Sequence, residues 1–385
     1  MVISPSFPSL FASLDQLVSL PSVSCTNPDF DQPNLSVIQL LADWLEKLGF
    51  CVEILPLANQ LGKANLIATL GAGPGGLVLA GHTDTVPYDD KLWQHNPLAL
   101  TERDGRLYGL GTSDMKGFFP IVIEAAKKYL GTPLKQPLII LATADEESSM
   151  SGAKALVELG KPLARYAVIG EPTGMRPIRL HKGMMMEAIR VHGQSGHSSN
   201  PALGRNALAA MHDVLGEVLQ FQRQLAQGYQ NSHFEIAFPT LNLGCIRGGD
   251  NPNRICGHCD LEIDIRPIPG MDLDVLRETL NNRIQPVAAK HQVSISVDPL
   301  FDGIPAHETA ATSDLVLTLE KLTGCRAGSV NFATEAPFLS QLGMETVVLG
   351  PGDIEQAHQP DEYLSIDRIQ PTIDLLQKLI KNYCL

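Results

Sequence analysis

The chain has 385 residues, too long for one small core, and a prior of roughly 150 residues per domain predicts two or three units. Its 29 Lys and Arg against 42 Asp and Glu leave a formal charge of −13. That balance excludes the basic surface a nucleic-acid or anionic-membrane partner needs, and it favours small cationic substrates and bound metals.

Residues 1–24 carry Pro5, Pro8, Asp15 and Pro21 and no basic stretch ahead of an apolar run, which predicts a cytosolic protein without signal peptide or anchor. Seven cysteines, an odd number scattered from Cys25 to Cys384, read as reduced thiols in that compartment. Ile38, Leu41, Trp44, Leu45 and Leu48 share one face of an amphipathic helix over 38–48, closed by Gly49, and 52–55 turns to strand chemistry. Short continuous apolar runs at 65–70, 77–80, 138–142, 166–169 and 346–349 read as strands buried on both faces. Helices at 115–130, 152–159, 312–322, 334–342 and 367–383 would cover them, giving an α/β domain with a central, mostly parallel mixed sheet flanked by helices.

Between 182 and 302 the rhythm changes to strand 185–192, helix 206–222, strands 240–246 and 255–266, helix 272–290 and strand 293–297. This β-α-β-β-α-β order predicts a ferredoxin-like α+β unit, 182–302, inserted into a discontinuous domain of 1–181 and 303–385.

Polar clusters follow directly on the buried runs: His82 and Asp84, Asp114, Glu146 and Glu147, Glu171, and His358. The carboxyl edge of an open α/β sheet is where ligands bind. Imidazoles and carboxylates without thiolate suit Zn²⁺ or a neighbouring first-row ion, and there are enough of them for two ions sharing a carboxylate. Adjacent side chains on extended backbone diverge, so one of Glu146 and Glu147 can ligate while the other faces substrate as general base. Asp84, two residues after His82, would accept the other imidazole N–H and fix its tautomer.

His82-Thr-Asp84-Thr-Val-Pro87, Gly111-Thr-Ser-Asp114-Met-Lys-Gly117, Asp145-Glu146-Glu147 and Gly170-Glu171-Pro172-Thr173 resemble the successive motifs of the M20 family of co-catalytic metallohydrolases. The likeness spans the chain and takes in the 182–302 insertion, which it implies is a lid and dimerisation domain of a homodimer. Gly193-Gln-Ser-Gly-His197-Ser-Ser199, Asn253-Arg254-Ile255, Asp264-Ile-Arg266-Pro267, Thr334-Glu335-Ala-Pro337 and Ala357-His-Gln-Pro-Asp-Glu-Tyr363 are most similar to the branch that deacetylates N2-acetyl-L-ornithine for arginine synthesis.

The resemblance implies two divalent ions per subunit, zinc first and cobalt as the alternative. Asp114 would bridge them, with His82 and Glu171 completing one site and Glu147 and His358 the other. Glu146 would be the general base on the attacking water, Asp84 the support of His82, and His197 an oxyanion donor reaching the partner subunit's site. It also implies a cis peptide at Asp114-Met115. The substrate would be a small N-acylated amino acid: Arg266, with Asn253 and Arg254, suits its α-carboxylate, although a strand-end ion pair is the alternative for Arg266. Glu335, at the start of a predicted helix, suits its side-chain ammonium.

Other branches of the family, acting on succinyl-diaminopimelate, acyl amino acids or dipeptides, differ by what lines the pocket. An inactive, metal-stabilised binding module is the reading from another class, and it would have no need of Glu146. Gly71-Ala-Gly73-Pro-Gly-Gly76 matches a dinucleotide fingerprint in form only, because a strand and not a helix follows it. Cys256 and Cys259, placed on one strand and pointing to opposite faces, have no second pair to complete a zinc cluster. Met184-Met-Met186 reads as hinge or core filler.

Overall fold

The computed structural model describes residues 7–58 and 60–385; Pro5 of the N-terminal segment lies outside them. The chain divides into two compact units, one of residues 1–179, 309–328 and 334–385, the other of 180–308 and 329–333.

In the first unit the strands run in the order Cys51–Pro56, Ala64–Leu70, Leu138–Thr143, Leu77–His82, Tyr166–Ile169, Glu345–Val348, and then the strand that begins at Ile178. The four strands at its heart are parallel, and the flanking pairings are antiparallel. Leu77–His82 and Leu138–Thr143 are buried along their whole length, which is why they read as unbroken apolar runs rather than alternating ones. Leu77–His82 is followed in the chain by a neighbour on one side, Leu138–Thr143, and then by one on the other, Tyr166–Ile169. The chain switches sides there, and the carboxyl ends of these strands open the crevice that such a switch creates.

The helices Leu35–Lys47, Phe118–Lys127 and Ile369–Cys384 bury apolar faces in the core of this unit, the last two packing on one another. Two parts of the unit carry weaker sequence signals. Helix Leu10–Val18 is capped by Ser9, whose hydroxyl accepts from the Ala12 N–H. Strands Thr101–Arg103 and Arg106–Tyr108 form a hairpin on Asp104-Gly105, both at positive φ, and Tyr363–Ser365 joins it as a third strand. This small sheet matters because it brings the segment after His358 onto the loop that carries Asp114.

The second unit has an antiparallel sheet in the order Thr240–Gly248, His258–Arg266, Met185–His192, Ser294–Pro299, with helices Ala207–Gly228 and Leu273–His291. Strict alternation along His258–Arg266 sends Cys259, Leu261, Ile263 and Ile265 into a core with Met211, Val214, Leu280 and Ile284. Asn206 starts the longer helix by accepting from Leu208 N–H and Ala209 N–H. Cys256 lies ahead of the strand rather than on it, and it packs in the same core as Cys259. The opposite-face expectation fails for that reason, since two-residue periodicity holds only inside the strand. Met185 belongs to this core, and Gly71–Gly76 forms a loop between two strands.

Candidate metal centre

The site is assembled from the ends of the parallel strands. His82 is the last residue of Leu77–His82, Glu146 and Glu147 follow Leu138–Thr143, and Glu171 follows Tyr166–Ile169. Asp114 sits in the tight loop before helix Phe118–Lys127, with a cis bond to Met115. Only glycine fits at 117, because a Cβ there would lie 2.1 Å from the Thr112 carbonyl oxygen, and at 170 a Cβ would lie 2.2 Å from the Phe118 ring.

His82 is 1% exposed, and its Nε2 is 3.1 Å from Asp114 Oδ1 and 3.8 Å from Glu171 Oε1. The other Asp114 oxygen, Oδ2, is 3.6 Å from His358 Nε2, which is itself 3.0 Å from Glu147 Oε2. One carboxylate thus faces two imidazoles, with a different oxygen toward each. Donor atoms of His82, Glu146 and Glu171 lie within 4.8 Å of one another, and so do those of His82, Asp114 and Glu147.

Two local expectations change. Glu146 and Glu147 do not diverge along an extended strand; the chain enters a turn, with Asp145 at φ +65°. The turn still sends Glu146 toward Glu171 and Glu147 toward His358. His82 Nδ1 is oriented mainly by the backbone carbonyl of Asp84 at 3.0 Å, while the Asp84 carboxylate is 3.7 Å away and accepts from the Glu147 N–H at 3.0 Å. A two-residue spacing on a bending chain brings the carbonyl, not the carboxylate, onto the ring nitrogen.

Burial works against an imidazolium at His82, yet the hydrogen bond to Asp114 and the carboxylates of Glu171, Glu146 and Asp84 outweigh it and hold its pKa well above the ordinary value. Burial pushes Glu146, Glu171 and, less strongly, Glu147 above the usual carboxylate range, with neighbouring acids adding to the shift. Asp114 is also buried, but its hydrogen bond to His82 and the charges of both imidazoles carry it below that range. Asp84 Oδ1, Glu147 Oε1, Glu171 Oε1 and Glu335 Oε1 are buried with no hydrogen-bond partner. Orphaned carboxylate oxygens are costly in a protein interior. Oxygen and imidazole donors around them fit divalent cations of the zinc type.

The sequence profile of peptidase family M20/M25/M40 matches residues 78–382, which contain every one of these donors. The chain belongs to that family. It is 49% identical over 380 residues, 99% of this chain and 98% of the relative, to the acetylornithine deacetylase of Pasteurella multocida (strain Pm70). The crystal structure of an M20 family metallo-carboxypeptidase from Sulfolobus solfataricus matches with a TM-score of 0.74 and 19% identity over 97% of this chain and 99% of that one. A Bacillus subtilis protein described as a dinuclear metal-binding peptidase of the M20 family matches with a TM-score of 0.67 and 15% identity, covering 97% of each chain. Those two likenesses establish the α/β fold, and this M20 chain is a hydrolase by family.

The remaining expected residues of this M20 chain are placed differently. Glu335 precedes the short helix Ala336–Gln341 but is 1% exposed, accepts from Thr143 Oγ1 at 2.8 Å, and is raised by burial to about 7. Its Oε1 is buried without a hydrogen-bond partner, close enough to Glu146, Glu171 and His82 to act on their charges. His197, Asn253, Arg254 and Arg266 lie in the second unit. His197 Nδ1 accepts from the Ser199 N–H at 3.2 Å and lies 2.7 Å from its hydroxyl, which leaves Nε2 free of that contact. Arg254 pairs with Asp250 at 2.7 Å and Arg266 with Asp264 at 2.9 Å, so Arg266 takes the strand-end ion pair. Asn253 gives its backbone carbonyl to the Ser198 N–H, tying it to the His197 loop.

Two supporting residues escaped sequence reasoning. Asp145 accepts from Lys63 Nζ at 2.7 Å and from the hydroxyls of Ser24, Ser148, Ser149 and Ser151, and Lys63 also pairs with Asp31 at 2.7 Å. Burial notwithstanding, the Lys63 contact and these hydroxyls hold its carboxyl well below the usual range, and the network pins the turn that carries Glu146 and Glu147. The serines at 148, 149 and 151 were the available signal. Glu362 is the second, announced only by its place after Ala357-His-Gln-Pro-Asp.

Proposed function

We propose that the protein hydrolyses N2-acetyl-L-ornithine to L-ornithine and acetate in arginine biosynthesis, using two divalent ions, zinc first and cobalt as the alternative. The observation that carries this reading is the Asp114 carboxylate with one oxygen toward His82 and the other toward His358. Its substrate rests on the 49% identity to the Pasteurella acetylornithine deacetylase. His82, Glu171 and Asp114 would hold one ion, and Asp114, Glu147 and His358 the other. Bound there, the ions supply Lewis acidity toward the amide carbonyl and toward water.

The chain's own part is proton handling and orientation. Glu146, with its pKa raised by burial and by Glu171, takes the proton of the attacking water and returns it to the leaving amine nitrogen. The Asp84 carbonyl holds Nδ1 of His82, so that Nε2 faces Asp114 and Glu171. His197 Nε2 is the oxyanion donor in this reading, serving the site of the other subunit in a homodimer built through the second unit. The strand Thr240–Gly248 supports that assembly, since it ends its sheet with an unpaired edge and leaves Ile246 exposed. Arg266, Arg254 and Asn253 are assigned to the α-carboxylate only on condition that the Asp264 and Asp250 pairs open. A cytoplasmic address is part of this reading because it follows from the biosynthetic role; among the described residues no helix is long and apolar enough to cross a membrane.

Metal-loaded protein offered N2-acetylornithine, succinyl-diaminopimelate and a dipeptide should release ornithine fastest; preference for the succinyl compound would overturn the substrate. Glu146→Gln should lower kcat by about 10²–10⁴-fold while retaining metal. Loss of metal with activity would instead make Glu146 a ligand, as its nearness to His82 and Glu171 allows. Mixing Glu146→Ala with His197→Ala subunits should restore part of the activity, and no recovery at all would count against a shared site.

A further inference from the structure

Glu362 is 2% exposed and is satisfied almost entirely by peptide groups. Its Oε1 accepts from Ser113 N–H at 2.7 Å and Asp114 N–H at 2.9 Å, and its Oε2 from Gly111 N–H at 2.9 Å. Its own carbonyl accepts from Gly109 N–H at 3.0 Å. The loop whose backbone it grips is the one that presents the Asp114 carboxylate, and the chain it belongs to is the one that presents His358, four residues earlier.

That chain is anchored independently. Asp361, at φ +56°, accepts from the backbone N–H groups of Gln94 at 2.9 Å and His95 at 3.1 Å, and lies 3.0 Å from His95 Nδ1. Tyr363 then pairs with Tyr108, on which the His95 ring stacks at 4.3 Å. With both ends held, a carboxyl group that accepts from three peptide N–H groups has no slack, and each of those N–H groups would lose its acceptor if the carboxyl moved.

We propose that Glu362 is a positioning residue of the metal centre, setting the separation between Asp114 and His358 by holding the 111–114 backbone against the His358 segment. This rests on the metal reading above. The loop's own backbone bonds, Thr112 N–H to the Gly109 carbonyl and Gly117 N–H to the Gly111 carbonyl, leave the N–H groups of 111, 113 and 114 to be held by Glu362. The acid acts through Asp114 and need not touch the ions or substrate.

The test is Zn²⁺ titration, with a competing chelator, into metal-stripped full-length protein, wild type against Glu362→Gln and Glu362→Ala. Gln keeps an oxygen for Ser113 and Asp114 but turns an NH₂ against the Gly111 N–H, so zinc affinity should fall about 10–100-fold, with Ala falling further. At saturating zinc, kcat should drop while KM stays within about threefold, the pattern of lost catalytic interactions rather than lost substrate binding. Amides 111, 113 and 114 should exchange faster with solvent. Should Glu362→Ala not fold, Glu362→Gln carries the test. Variants that lose only thermal stability, with zinc affinity and kcat intact, would overturn the proposal, whereas a wild type that takes up no zinc would overturn the metal reading itself.

Discussion

Two histidines of this chain are equally buried, yet their surroundings shift their pKa values in opposite directions. His82, 1% exposed at the end of its strand in the first unit, has its pKa carried above the ordinary imidazole value by the acids around it, against the effect of burial. His181, 0% exposed at the end of strand Ile178–His181 and paired across from His307, has burial and the neighbouring imidazole both acting against charge, and its pKa falls to about 3. Its Nδ1 is 2.9 Å from the Lys182 carbonyl oxygen and its Nε2 has no partner. Burial by itself drives an imidazole neutral; only gathered carboxylates reverse that, and such a gathering attracts a cation of any kind, proton or metal. The strand-end histidine to read as functional is therefore the one in acidic company.

The most severe way to break the contrast is to remove the acid that both imidazoles of the site share. Asp114→Asn should weaken zinc binding by more than about 100-fold, beyond the range of a lost outer partner, with activity following. Chelator competition measures this, and wild-type affinity in the variant would dissolve the distinction between the two histidine environments. A middle-sized effect separates the two imidazoles of the site. His82→Ala should destabilise the metal-free protein by about 1–3 kcal/mol, because buried carboxylates lose their counter-charge. His358 has a side chain 54% exposed, but it partners the buried Glu147 carboxylate, so its Ala variant should destabilise the metal-free protein by less than His82→Ala does while losing one tight zinc equivalent. Equal melting shifts for the two would contradict the burial argument.

The smallest expected effect concerns His181. Its folded pKa lies below the unfolded value near 6.5, so between pH 6.5 and 3 the unfolded chain binds a proton that the folded chain does not, and stability falls on acidification. From pH 6.5 to 5.5 this amounts to about 1 kcal/mol. Urea denaturation of His181→Gln should show a shallower acid slope by that amount, with no change in zinc affinity; parallel slopes would mean that His181 is solvated or charged in the folded state.

Much of the site was legible in one dimension, for a physical reason. Strands buried on both faces must be continuous apolar runs, so an acid or imidazole placed immediately after one is displaced from solvent by its neighbours' packing. His82, Glu146, Glu147 and Glu171 all satisfy that pattern; Asp114 and His358, expected at strand ends as well, sit in loops further along the chain. Legibility ended where the backbone bends. The turn after Asp145 and the curve through Asp84 defeat two-residue periodicity, and the inward-facing Glu335 looked like any acid before a helix.

The sequence by itself determined the fold class and the residue types at the strand ends, because both follow from local hydrophobic pattern. Tertiary structure alone decided which oxygen of Asp114 faces which imidazole, that Glu147 meets His358 across 211 positions, and that Glu362 holds the Asp114 loop across 248. Those contacts join residues with no local coupling, and only a packed core brings such segments to within hydrogen-bonding distance.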